Sequence, residues 1–272
     1  MRLANLAKRW VPPALFDAIR LLMGRAIYLR GHFDDWETAC AHSRGYDAEE
    51  IFDRVKQAAL KVQAGEAAYE RDSIVFDKVE YSFPVLASLQ KAALNNGNKL
   101  RVLDFGGSLG SSYQQYRGIL SNLELLRWGV VEQAHFVACG RASFETNELR
   151  FFSSITECVS ELSPDIALLS SVLQYVERPS QVLEELATSG IPFVVIDRTP
   201  FGEHDHDKLT VQHVPRKIYR GSYPCWIFSK EAFRKNIAQR YRLVLEFENG
   251  DKATWIGGRS PQFGGMLLQS KC

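Results

Sequence analysis

Four groups of residues in this chain have types and spacings that can do chemistry. The first is Asp104-Phe105-Gly106-Gly107-Ser108-Leu109-Gly110, which continues the apolar run Val102-Leu103. Glycines let a backbone turn tightly and approach a ligand with no Cβ in the way, so a strand that runs through such a turn into a helix can receive a nucleoside cofactor. Pyrophosphate recognition would call for G-x-G-x-x-G, a spacing that Gly106, Gly107 and Gly110 do not provide. The second group is Glu132 alone, at the end of the apolar run 125–131. A carboxylate at the tip of the neighbouring strand can accept from both hydroxyls of a ribose. The third group, Ser154, Ser171, Gln174 and Tyr175, follows the next two apolar runs, whose carboxyl ends must point into the crevice, with Ser154 where a base edge could be met. The fourth is His204-Asp205-His206-Asp207 in the polar stretch 201–215. Histidine is the usual acceptor of a hydroxyl proton near neutral pH, which makes His204 and His206 candidate bases. His-x-His alone underspecifies a metal site, and no metal is expected.

These groups need a scaffold, and the apolar runs supply one. Residues 100–105, 125–131, 149–152, 165–170 and 191–196 read as strands buried on both faces of a parallel sheet, separated by helices over 111–120 and 180–188. After 201–215, taken as a polar loop, 223–228, 243–247 and 263–269 read as further strands around a helix over 230–238. Upstream, a carboxylate-capped short helix is expected at 34–40, an amphipathic helix at 48–64 and another helix at 85–94. The expected domain plan is a helical extension or cap over 1–96 and a main α/β domain over 97–272.

Bulk properties narrow the partners. A formal net charge of +1 gives no overall pull toward nucleic acid, and none is expected as a partner. Five scattered cysteines without a C-x-x-C pair signal neither a disulfide framework nor zinc, which fits a reducing cytoplasm. In the first thirty residues, Arg2, Lys8, Arg9, Arg20, Arg25 and Arg30 accompany Leu15, Ile19, Leu22, Ala26 and Leu29 at helical spacing, which predicts a basic amphipathic helix. Such a helix either packs on the main domain or touches the anionic inner face of a membrane as a peripheral contact.

The stretch 104–110 resembles the D/E-x-G-x-G-x-G signature of class I S-adenosylmethionine-dependent methyltransferases, with Ser108 where the middle glycine usually stands. Together with Gly65 to Ser73, Ser170 to Tyr175 and Asp197 to Pro200, it resembles a family of methyltransferases encoded among genes for cell-surface polysaccharide synthesis. The resemblance implies a Rossmann-like class I methyltransferase sheet, mostly parallel with an antiparallel C-terminal hairpin, and S-adenosylmethionine as cofactor. It implies methyl transfer to a hydroxyl of a sugar or glycan precursor. Asp104, Gly106, Gly107, Ser108, Gly110, Glu132, Ser154, Ser171 and Gln174 would then hold the cofactor, with Tyr175 at the transfer site and His204 or His206 taking the proton. Arg198, and Arg71 in the cluster Glu70-Arg71-Asp72, would bind the substrate, although that cluster can equally serve the cofactor's amino-acid end or be a surface ion-pair group. Two rivals are an inert scaffold on the same fold in a glycan assembly complex and a nucleotide-sugar oxidoreductase, which the glycine spacing disfavours.

Overall fold

The computed structural model describes residues 26–43, 48–215 and 221–271. In chain order the elements are β1 (Tyr28–Phe33), α1 (Trp36–His42), α2 (Ala48–Gln63), β2 (Tyr69–Arg71), β3 (Ile74–Phe76), α3 (Phe83–Asn95), β4 (Lys99–Phe105), α4 (Ser111–Tyr116), β5 (Leu125–Val131), α5 (Ala134–Ser143), β6 (Leu149–Phe152), α6 (Ile155–Leu162), β7 (Ile166–Ser170), a 3-10 turn (Leu173–Tyr175), α7 (Pro179–Thr188), β8 (Phe193–Gly202), β9 (Lys208–His213), β10 (Ser222–Ser229), α8 (Lys230–Ile237), β11 (Tyr241–Glu248), β12 (Thr254–Ile256) and β13 (Gln262–Ser270).

The apolar runs become the centre of one mixed sheet. Strands β6-β5-β4-β7-β8 are parallel, β13 lies antiparallel to β8, and β11 lies antiparallel to β13. This is a Rossmann-like sheet with the antiparallel C-terminal pair expected from the sequence. Side-chain alternation divides its core between two faces. Leu100, Val102, Trp128 and Val130 pack with Leu89 of α3, Tyr113 of α4 and Val137 of α5, whereas Leu103, Ala167 and Leu169 pack with Cys158 of α6, Leu186 of α7 and Phe233 of α8. Because β4 leads outward to β5 and β6 before the chain returns to β7 on its other side, the crevice opens at the carboxyl ends of β4 and β7.

Beyond Asp197, β8 outruns β7, and β10 takes the free edge with Phe228 beside Phe201. From there β9, β1 and β12 extend a second wing of the sheet. This wing overturns two expectations. Leu29 and Arg30 lie in strand β1 rather than in a helix, so the segment 1–96 contributes strands as well as helices; residues 1–25 of the expected basic helix lie outside the described residues. The stretch 201–215 is not a loop throughout, because it contains β9, flanked by β1 and β10, with Thr210 and Gln212 buried. Buried polar residues survive there because each has a partner: Thr210 Oγ1 donates to the Cys225 carbonyl at 2.8 Å, and Gln212 bridges two tyrosines. Helix α4 is shorter than expected and gives way to turns before Gly118. Among the described residues, no helix is long and apolar enough to cross a membrane.

Candidate functional site

A cleft of about 1370 Å³ opens over the carboxyl ends of β4, β5, β7 and β8, roofed on one side by the β2–β3 hairpin and walled on another by the wing. Its floor is the glycine turn. Gly106 has φ +71°, and a Cβ there would sit 2.4 Å from Val172 Cγ2; at Gly107 a Cβ would sit 2.5 Å from the Asp104 carboxyl group. Ser108, standing in for the middle glycine, adopts φ +57°. A serine therefore makes the left-handed turn that glycine makes at lower cost, roughly 1 kcal/mol. Asp72, Ser73, Ser171 and Arg198 also line the cleft with positive φ. Left-handed non-glycine residues concentrate where a structure has a reason to hold them.

Two carboxylates on adjacent strands frame the turn. Asp104 is 1 % exposed, and the Trp128 indole N–H donates to its Oδ2 at 2.9 Å. Burial pushes its pKa up to about 7, against the pull of that indole bond and of Ser112, with the nearby Glu132 adding to the rise. Glu132, at the tip of β5, accepts from Ser108 N at 3.3 Å on Oε1 and from Gln133 N at 2.8 Å on Oε2. Each oxygen keeps a lone pair for a further donor. Burial raises the pKa of Glu132 despite both backbone bonds.

The cleft is acidic. Glu70, Asp72, Glu80, Asp104, Glu132, Asp197, Glu248 and Asp251 line it against Arg71, Arg198 and Lys252. Arg198 is already spent: it donates to Asp251 and to Asp72, both at 2.8 Å. Burial works against its charge, but these two carboxylates hold its pKa well above the ordinary value. The guanidinium thus latches the hairpin to the loop after β11 and does not stand open to an anionic substrate group, as the sequence suggested. Arg71 lines the cleft, 5.6 Å over the Phe76 ring and 4.0 Å from Glu80.

Of the candidates read from the sequence, Asp104, Gly106, Gly107, Ser108, Glu132, Ser171, Tyr175, Arg71 and Arg198 meet in this cleft. Three cofactor candidates do not line it. Gly110 adopts φ +90° before α4 and backs onto Leu149. The Ser154 hydroxyl caps α6 by accepting from Glu157 N at 3.1 Å. Gln174 is fully buried and supports the floor from behind, its Nε2 3.2 Å from both Ser171 Oγ and the Arg198 carbonyl. Both histidines lie elsewhere. His204 lines a separate cavity of about 280 Å³ with Phe201 and Trp255, behind a wall that includes Phe263 and Glu248. His206 is exposed, 2.6 Å from Lys208 Nζ. Extension of β8 through Phe201 and Gly202 carries the segment past the cleft, so neither ring reaches it.

Sequence reasoning missed the wing's contribution. Tyr175 donates its hydroxyl to Gln212 Oε1 at 3.1 Å, and Gln212 Nε2 donates to the Tyr223 hydroxyl at 2.9 Å, a polar ladder along the cleft wall. Burial holds the Tyr175 phenol protonated, its pKa well above the ordinary value. Asp197, at the point where β8 leaves β7, accepts from Asn249 Nδ2 at 2.8 Å and from Ser170 Oγ at 3.1 Å, and burial raises its pKa.

No protein-family model matches the chain, and no curated protein matches it either. Among solved structures it is similar to the N-terminal domain of EvdMO1, crystallised in the presence of SAH and D-fucose, with 12 % identity, 84 % of this chain and 100 % of that chain covered, and a TM-score of 0.47. It is similar to the 1,6-didemethyltoxoflavin-N1-methyltransferase of Burkholderia thailandensis, with 13 % identity, coverage of 84 % and 92 %, and a TM-score of 0.43. A S-adenosylmethionine-dependent methyltransferase from Clostridium acetobutylicum is similar at 10 % identity, coverage of 79 % and 97 %, and a TM-score of 0.46. Likenesses this loose leave the assignment of the fold to the strand order and directions given above.

Proposed function

We propose that the chain is an S-adenosylmethionine-dependent methyltransferase that methylates a hydroxyl of a sugar or glycan precursor for surface polysaccharide. The observation that carries the reading is the cleft at the switch point between β4 and β7, where a glycine turn with no room for side chains is framed by Asp104 and Glu132. The residues present fit the cofactor. Glu132, held by two backbone N–H groups, keeps acceptor capacity for a ribose diol, and the uncompensated carboxylates suit a ligand that carries a sulfonium and an ammonium. When bound, the cofactor supplies an electrophilic methyl group. Gly106 and Gly107 admit it closely, and Asp104 supports the turn from beneath.

On the acceptor side, Tyr175 gives the cleft an aromatic wall, fixed through Gln212 and Tyr223, against which a hydroxylated ring can pack. Since Tyr175 donates to Gln212 and stays protonated, it orients and does not take the proton. That task falls to a cleft carboxylate, and we assign it to Asp197, which lies at the junction of the β7 tip and the wing. Holding the acceptor in line with the methyl group accounts for most of the acceleration.

Transfer of a radiolabelled methyl group from S-adenosylmethionine to a panel of free glycosides and nucleotide sugars tests this reading. His204→Ala and His206→Ala are expected to turn over within about twofold of wild type, while Asp197→Asn loses roughly 100-fold or more. Cofactor binding with no label on any hydroxyl acceptor would instead favour the scaffold.

A further inference from the structure

Resting on the methyltransferase reading, we infer that the β2–β3 hairpin is the subsite for the amino-acid end of the cofactor and that Glu70 receives its ammonium group. The hairpin is a two-stranded sheet of its own, apart from the main one. Two contacts fix it over the cleft: Ser111 Oγ, the first residue of α4, donates to Glu70, and Asp72 at the hairpin tip meets Arg198. Glu70 is thereby held beside the end of the glycine turn. It lines the cleft at only 4 % exposure.

A carboxylate that buried is costly to ionise with no cation beside it, and two acids near the hairpin that are more exposed have one. Asp72 and Asp251 share Arg198. Among the described residues, Glu70 has none: it accepts from the Ser111 hydroxyl and the Ser73 backbone N–H, and its charged neighbour is another acid, Asp72. The cation next to it in sequence, Arg71, lies over Phe76 and toward Glu80. Burial accordingly pushes the Glu70 pKa up to about 7, with Asp72 adding to the rise and its two donors opposing it. A ligand ammonium would supply the missing counter-charge and ionise the acid. Glu132 receives Ser108 N and Glu70 receives the Ser111 hydroxyl, so both carboxylates border the turn and its entry into α4 within one cleft, where an extended ligand can meet both.

Calorimetric titration of the full chain with S-adenosylhomocysteine and with 5′-methylthioadenosine tests this directly, because the second compound keeps the adenosine and thioether and lacks the amino-acid end. Glu70→Gln is expected to weaken S-adenosylhomocysteine about 10- to 100-fold and to leave 5′-methylthioadenosine within about twofold. On the wild type, repeating the titrations near pH 6.5 in buffers of different ionisation heat needs no variant. Proton release is expected with S-adenosylhomocysteine in excess of that with 5′-methylthioadenosine, whose own release reports Asp104 and Glu132. Equal weakening of both ligands would make Glu70 a mere prop for the hairpin and overturn the inference, as would equal proton release. Wild type binding neither compound would sink the methyltransferase reading itself, and the inference with it.

Discussion

Trp128→Ala is expected to lower the free energy of unfolding by about 4–6 kcal/mol, the largest effect of any substitution considered, and to remove cofactor binding with it. The indole is fully buried between the sheet and the helices on the α3 side, so its removal leaves a large cavity, about 3–5 kcal/mol by itself. It also takes from Asp104 the N–H that its Oδ2 accepts, leaving a buried carboxyl group short of a donor. The second part depends on pH, and its sign follows from the Asp104 pKa, raised from 3.8 to about 7. An acid so raised contributes most to stability below its ordinary pKa, and that contribution is lost as pH rises through about 7. The indole bond favours the ionised form, so its loss costs more at pH 8, where Asp104 is charged, than at pH 5, where it holds its proton. Urea unfolding at the two pH values checks this; equal losses would mean that the tryptophan acts through its volume alone.

Gly106→Ala is expected to destabilise by about 3 kcal/mol and to weaken S-adenosylhomocysteine at least tenfold. A side chain at φ +71° is strained in itself, and the new Cβ would stand 2.4 Å from Val172 Cγ2, on the turn that also carries Ser171 and leads to Tyr175. Because the Val172 Cβ itself would lie only 3.0 Å away, relief requires that turn to shift. Gly118 provides the control, since a Cβ there meets nothing within 4 Å; Gly118→Ala is expected to change stability by less than about 0.5 kcal/mol. Thermal melts and the same calorimetric titration read both effects.

The central sheet was legible in the sequence because strands buried on both faces are written as continuous apolar runs, as in Leu-Leu-Arg-Trp-Gly-Val-Val of β5, and the glycine turn because its spacing has few other uses. Glu132 followed from its position after such a run. The wing was hidden for the opposite reason. Lys-Leu-Thr-Val-Gln-His of β9 alternates over only a few residues inside a polar stretch, and the burial of its polar Thr210 and Gln212 comes from the strands that flank it, β1 and β10. Proximity in sequence misled the assignment of His204 and His206: they follow a strand whose other neighbours end in the cleft, but β8 runs on by several residues and takes them with it. Arg198 looked like a free cation because nothing local pairs with it. Both its carboxylates, Asp72 and Asp251, come from distant loops. Gln174 and Ser154 were the right residue types on the right turns, yet the Ser154 hydroxyl is consumed by the Glu157 N–H, and the Gln174 amide N–H groups turn to Ser171 and the Arg198 carbonyl behind the floor.

The measurement that bears most directly on the central claim is titration of the purified, ligand-free chain with S-adenosylhomocysteine, beside a Glu132→Ala variant of equal thermal stability. Binding at about micromolar Kd, near −8 kcal/mol, weakened about 30-fold or more in the variant, is the predicted result. Absence of heat from wild type at concentrations well above that Kd, or binding that Glu132→Ala leaves unchanged, would contradict the cofactor site at the glycine turn.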